Sequence, residues 1–284
     1  MKLAVAGLLP DDYRKIDSGF LRQLSDDGFK AVGCYEEPLV ELGAEGRKEF
    51  KAKLDDFGLG VHSWFVVTDT HIRPDHPDRS RDVDRFRLSA EMAHELDAES
   101  VGTSPGSFDP RFRWAGHPDN LKHEGRELMA DSMREICPFY EDADVKLGLE
   151  FGSASVVISP QQALWVLNAV QSPILGVYAD PVNQAHSYDS LFNSGEIINQ
   201  LFDYLGPYIL CYHARDAWVI PGYEMHIRAG AAGKGVMDFR TFFKRAKALN
   251  PSLSLLIEHT PVEEIREARD YVRKIAEEVG LQIE

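Results

Sequence analysis

Lys146-Leu147-Gly148-Leu149-Glu150-Phe151 is a short, nearly continuous apolar run that ends on a carboxylate. A run without a polar face is what a parallel strand covered on both sides requires. The same design returns at residues 174–180, 209–213 and 254–259, whose ends read Ala179-Asp180-Pro181, Cys211-Tyr212-His213 and Ile257-Glu258-His259. Toward the N-terminus, residues 3–8, 31–36, 60–67 and 100–104 read as four further strands of the same kind.

Between the strands lie helical patterns. Residues 82–96 place Val83, Phe86, Ala90, Ala93 and Leu96 on one face, and residues 120–140 do the same with Leu121, Leu128, Met133 and Ile136. Ser159-Pro160 supplies an N-cap and a first-turn proline for a helix over 161–170. Residues 238–249 and 261–279 complete the series. Eight strands alternating with helices along 284 residues predict an α/β chain folded as a single (β/α)8 TIM barrel over residues 1–284. An open doubly wound sheet would carry a Gly-rich phosphate loop after its first strand; Gly7-Leu8-Leu9-Pro10-Asp11 stands there instead.

Composition narrows the partners. The formal charge is −15, from 31 Lys and Arg against 46 Asp and Glu, so phosphate backbones and anionic lipid surfaces are repelled. No nucleic acid and no membrane partner is expected. Nothing approaches the ~20 apolar residues of a membrane span, and the apolar start at residues 3–8 is too short for a secretory leader. Cys34, Cys137 and Cys211 are few, scattered and odd in number, which fits buried free thiols and a cytoplasmic location.

In such a barrel, chemistry is built at the C-terminal strand ends. Glu150, Asp180, His213 and Glu258 stand at four successive ends, separated by 30, 33 and 45 residues, so all four side chains converge above the barrel axis. One glutamate at a strand end is ordinarily a solvated terminus, and one histidine a packed core residue. Four in succession point to a common purpose. Three neighbouring carboxylates repel one another unless a cation sits among them. Three oxygens and an imidazole suit one divalent metal ion, Mn²⁺ first, with Mg²⁺, Zn²⁺, Co²⁺ or Fe²⁺ also accommodated.

These motifs carry a family likeness. Asp27-Gly28-Phe29, Asn120, Gly148-Leu149-Glu150-Phe151, Asp180-Pro181-Val182-Asn183, His213-Ala214-Arg215-Asp216, Gly233-Lys234-Gly235-Val236-Met237-Asp238-Phe239 and Ile257-Glu258-His259 resemble the xylose-isomerase-like barrels over nearly the whole chain. The nearest group in kind is the sugar phosphate isomerases/epimerases. The resemblance implies a Glu-Asp-His-Glu metal site and, as in its ketose 3-epimerases, catalytic Glu150 and Glu258 moving a proton on opposite faces of the substrate carbon. Those epimerases carry a His where Asn183 stands and an Arg where Val219 stands, Arg215 lying earlier. The His213–Asp216 H-x-x-D pair instead resembles inosose dehydratase-like lyases.

Further substrate-binding candidates are His62 and Glu36 at the ends of strands three and two, Asn183 and His186 after Asp180, and Arg215 and Asp216 after His213. Arg215 suits bidentate contact with a carboxylate or phosphate. Trp64, Phe65, Trp114 and Trp218 are candidates to floor a sugar pocket, residues 71–78 read as a rim loop, and residues 230–235 with Lys234 as a possible phosphate cradle. The expected function is a metal-dependent isomerase or epimerase acting on a keto sugar or sugar derivative through an enediolate. The alternative is a lyase that begins with the same proton abstraction. A homodimer or homotetramer paired through rim loops is expected, with segments 67–78 and 108–117 covering the site. An endonuclease-like barrel would need a basic groove and more histidines at strand ends.

Overall fold

The computed structural model describes residues 1–68 and 70–284; Asp69, inside the expected rim segment, lies outside them. Nine strands are present among the described residues: β1 Leu3–Val5, β2 Ala31–Gly33, β3 Gly60–Ser63, β4 Val101–Thr103, β5 Leu147–Leu149, β6 Leu175–Ala179, β7 Ile209–Ile220, β8 His226–Ala231 and β9 Leu255–Ile257. All but β8 run parallel in the order β3-β2-β1-β9-β7-β6-β5-β4. The ring closes between β3 and β4, where Gly102 N–H donates to Trp64 O at 2.8 Å and Val66 N–H to Gly102 O at 2.9 Å. The predicted eight-stranded barrel is therefore the observed one.

The strands are short and their side chains buried on both sides, as the apolar runs required. Helices α1 Ser18–Asp26, α2 Glu36–Asp55, α3 Arg79–Glu95, α4 His123–Ala143, α5 Pro160–Val170, α6 Tyr188–Phe192, α7 Ser194–Leu205, α8 Phe239–Leu249 and α9 Ile265–Glu278 surround the barrel. Ser159 caps α5 through Gln162 N–H, with Pro160 in the first turn, as read. Asn120 does not open α4. It sits in the preceding 3-10 turn, where its side-chain oxygen accepts from Phe108 N–H and its amide reaches Ala154 O, tying two rim loops together.

Inside the barrel Gly102 and Gly148 lie side by side in register. A Cβ on Gly148 would meet the Tyr178 ring at 2.1 Å, and one on Gly102 would meet it at 2.8 Å. These glycines let that aromatic ring lie across the barrel floor, 5.2 Å from the His213 ring. All three cysteines are buried and free. Among the described residues no helix is long and apolar enough to cross a membrane.

One feature of the chain differs from its sequence reading. Strand β7 runs on past His213 to Ile220 and pairs antiparallel with β8, from Arg215↔Ala231 to Ile220↔His226, as a hairpin beside the barrel mouth. Trp218 belongs to this hairpin, its ring over Gly230 and 6.0 Å from the Arg228 guanidinium, and does not floor a pocket.

Candidate metal centre

Glu150 follows β5, Asp180 follows β6, His213 lies within β7 and Glu258 follows β9. Each contributes one ligand atom to a cluster in which all atoms lie within 4.8 Å of one another. The four side chains are buried. His213 Nδ1 lies 2.9 Å from Glu258 Oε1 and 3.5 Å from Glu150 Oε1. Neither approach is aligned as a hydrogen bond, so both ring nitrogens of His213 and Oε1 of Glu258 are buried without a hydrogen-bond partner. Buried polar atoms left in that state are costly. A divalent cation would take up Glu258 Oε1 and one ring nitrogen of His213, and the donor set of three carboxylates and an imidazole fits one.

The side chains of the cluster also act on one another's charge. Burial pushes the Glu150 carboxyl above the usual range, and the neighbouring Glu258 charge adds to the shift. Burial also opposes charge on Glu258, but His213, His259 and Arg215 outweigh it and hold that carboxyl down at about 2. Burial works against an imidazolium at His213, yet the Glu258 and Cys211 side of its surroundings keeps it well above an ordinary histidine.

The surrounding polar groups orient the cluster. Asn183 donates to Glu150 Oε1 at 2.8 Å and accepts from Arg215 at 3.2 Å through its other amide atom. Arg215 also donates to Asp180 Oδ2 at 2.6 Å and lies 3.9 Å from Glu258 Oε1. Asp180 Oδ1 accepts from Val182 N–H at 2.9 Å, which fixes the carboxylate against the following turn. Arg215 is thus no remote rim cation; it packs among the carboxylates.

A cavity of about 810 Å³ opens above the cluster. Glu150, Asn183, Arg215 and Glu258 line one end, while Glu36 stands at the other, held by Arg85 at 2.5 Å. Glu36 opens α2 instead of ending β2. Trp64, Phe65 and Trp114 are among the lining residues, Trp64 almost wholly buried with its indole N–H donating to Ser89 Oγ at 2.8 Å. His259, read only as part of a motif, also lines it; at φ 49 it occupies the left-handed region directly after Glu258, an uncommon backbone state for a non-glycine residue.

Three sequence candidates lie elsewhere. His62 is fully buried within the barrel, its Nδ1 2.9 Å from Glu99 Oε2, and does not line the cavity. His186 faces a neighbouring groove of about 410 Å³ and bonds to Gln184 O. Asp216 points away from the site and accepts from the N–H groups of Ala217, Gly233 and Met237 at 2.9, 3.0 and 3.0 Å. Gly233 belongs to the loop suggested as a phosphate cradle, so a protein carboxylate already engages that amide. Lys234 pairs with Glu267. His71, at the start of the expected rim loop, is likewise buried, with Nε2 3.0 Å from Thr103 Oγ1.

A family model described as xylose isomerase-like TIM barrel matches residues 21–275. No curated protein sequence matches the chain. Solved structures do. A D-psicose 3-epimerase in the presence of D-fructose superposes with TM-score 0.74 at 14% identity, covering 97% of this chain and 99% of that one. A xylose isomerase-like TIM barrel protein from Mycobacterium smegmatis in complex with magnesium gives 0.73 at 18% identity, covering 98% and 96%. The probable 3-DHS dehydratase AsbF of Bacillus anthracis, involved in petrobactin synthesis, gives 0.71 at 14% identity, covering 96% and 97%. At these identities the likeness is one of fold.

Proposed function

The chain belongs to the xylose isomerase-like TIM barrel family, and from that premise we propose that it is a divalent-metal-dependent isomerase or epimerase of a keto sugar or sugar derivative, with Glu150, Asp180, His213 and Glu258 as ligands. Mn²⁺ is the preferred ion, on the balance of three oxygens to one nitrogen. The observation that carries the reading is the pair of glutamates, Glu150 and Glu258, held in one buried cluster at the floor of a cavity of about 810 Å³. A bound divalent ion would withdraw charge from a substrate carbonyl and its neighbouring hydroxyl, favouring an enediolate.

The protein's own residues then do the rest. One glutamate removes the proton from the carbon between the two oxygens, and the other returns a proton, both within the closed polar end of the cavity. Asn183 holds Glu150 in place, and Arg215 balances the carboxylate charge while presenting donors toward substrate oxygens. Asp216, which weighed toward a lyase in the sequence, is consumed by backbone amides and takes no part. A lyase remains the second reading, favoured by a cavity longer than one sugar ring, which leaves room for a departing group.

The test is Glu→Gln at each position under saturating Mn²⁺. An amide oxygen still coordinates a cation but accepts no proton near neutrality. Each variant should retain metal and lose about 10²–10⁴-fold in turnover. The variant lacking the abstracting base should also stop exchanging substrate C–H with solvent deuterium, while the other should continue exchange without completing the reaction. Near-normal turnover in both variants would reduce the glutamates to ligands. The assembly is proposed as a homodimer or homotetramer, supported by exposed Ile220, Tyr223 and Met225 at the hairpin tip; a monomer in light scattering at micromolar concentration would remove it.

A further inference from the structure

We infer that the substrate carries a flat aromatic group on its sugar, as in an aryl glycoside, and that this group lies against Tyr35, Phe65 and Trp114. This rests on the sugar reading above and names the class of sugar derivative. The cavity has two chemically different ends. The polar end is the cluster side, with Glu150, Asn183, Arg215 and Glu258. The opposite end is built from the residues after β1, β2 and β3, where Ala6, Gly33, Tyr35, Phe65 and Val67 form the wall and Trp114 reaches in from the loop after β4.

At about 810 Å³ the space lies toward the upper part of the ~300–1,000 Å³ range of sites that enclose drug-sized ligands. A single sugar at the metal end fills only part of it. A second sugar ring would bring hydroxyl groups that need partners. Within the cavity the charged side chain on that side is Glu36, already engaged by Arg85; Asp11, Asp12, Arg14 and Arg113 lie in the groove beyond it. Flat apolar surface is what the wall offers. Tyr35 and Trp114 are 51% and 40% exposed, so two large aromatic residues of this end stay partly open to solvent. An aromatic group seated there gains offset or edge-on ring contacts beyond simple area burial. The far end is not capped, because Tyr35, Glu36, Phe65 and Val67 also border a shallower groove that continues outward.

The experiment measures binding of paired p-nitrophenyl and methyl glycosides of several hexoses to the Mn²⁺-loaded full-length protein by calorimetry. The expected result is that, for at least one hexose, the aryl compound binds roughly tenfold or more tightly than its methyl partner. Trp114→Ala and Tyr35→Ala should erase that preference while leaving metal content unchanged; both residues are exposed enough to be replaced without loss of the fold. No preference for any aryl compound, including no binding of either partner, overturns the inference, as does a preference that survives both substitutions. Because the readout is binding, it is separable from failure of the isomerase reading, which shows as absent deuterium exchange with metal bound.

Discussion

Asn183 joins two groups that would otherwise settle independently, donating to Glu150 and accepting from Arg215. Supporting contacts of this kind hold a ligand in the geometry a cation needs, and their loss commonly costs about 10–100-fold in metal affinity. Asn183→Ala should therefore weaken metal binding by that order with thermal stability little changed, as read by competition with a chelating dye. His213→Ala and Asp180→Ala should go further and abolish stoichiometric metal in elemental analysis of the purified protein. Full metal content in either variant would refute the ligand set. The four cluster residues were legible because each ends an apolar run. The role of Asn183 was not, since an asparagine three residues past a ligand looks alike whether it faces substrate or protein. His62 misled for a related reason: a strand alternates its side chains, and neither the end of a run nor its composition says how deep in the barrel a given residue sits.

At the level of elements, the least legible part was the hairpin of β7 and β8. Its signals are present in Pro221-Gly222, a turn pair, and in the alternation of exposed His226 and Arg228 with half-buried Ile227 and Ala229. They were obscured because β7 continues unbroken from a buried parallel strand into an antiparallel arm, so one run carries two periodicities. Asp216 sits at that change, its carboxylate gathering three backbone N–H groups from the base of the hairpin and the turn before α8. Removing it would leave those donors without their acceptor. Asp216→Ala should cost roughly 3 kcal/mol, measured by urea denaturation, and should speed hydrogen exchange at the Gly233 and Met237 amides. If those amides stay as protected as in the parent, the carboxylate is not what fastens the hairpin. The barrel strands other than β7 were plain in the sequence, though read longer than they are, because residues flanking a short strand are often as apolar as the strand.

For the whole molecule, closure of the barrel depends on its N-terminal end as much as on the site at the other. Glu99, just before β4, is held by His62 of β3, by Ser254 just before β9 and, at 3.5 Å, by Lys2 just before β1. One carboxylate thus ties the seam between β3 and β4 to the opposite wall. Burial disfavours charge on both members of the central pair. Contacts with Cys211 and Glu99 nonetheless raise the His62 imidazole from 6.5 to about 9, and those with His62, Ser254 and Lys2 lower the Glu99 carboxyl from 4.5 to about 2. A raised histidine contributes stability that is complete below its unfolded value near 6.5 and disappears as pH climbs through about 9. A depressed carboxyl contributes stability that is complete above its unfolded value near 4.5 and disappears as pH falls through about 2. Both contributions are whole only between pH 4.5 and 6.5. Glu99→Gln should therefore destabilise the fold most in that window, by about 2 kcal/mol for a half-buried charged hydrogen bond that is lost. The gap from the parent should narrow steadily toward pH 10, where His62 is neutral in both proteins. Denaturation curves collected across this range decide the matter. A gap of constant size from pH 6 to pH 10 would mean that the seam is held by packing and neutral hydrogen bonds, with no ion pair at the barrel floor.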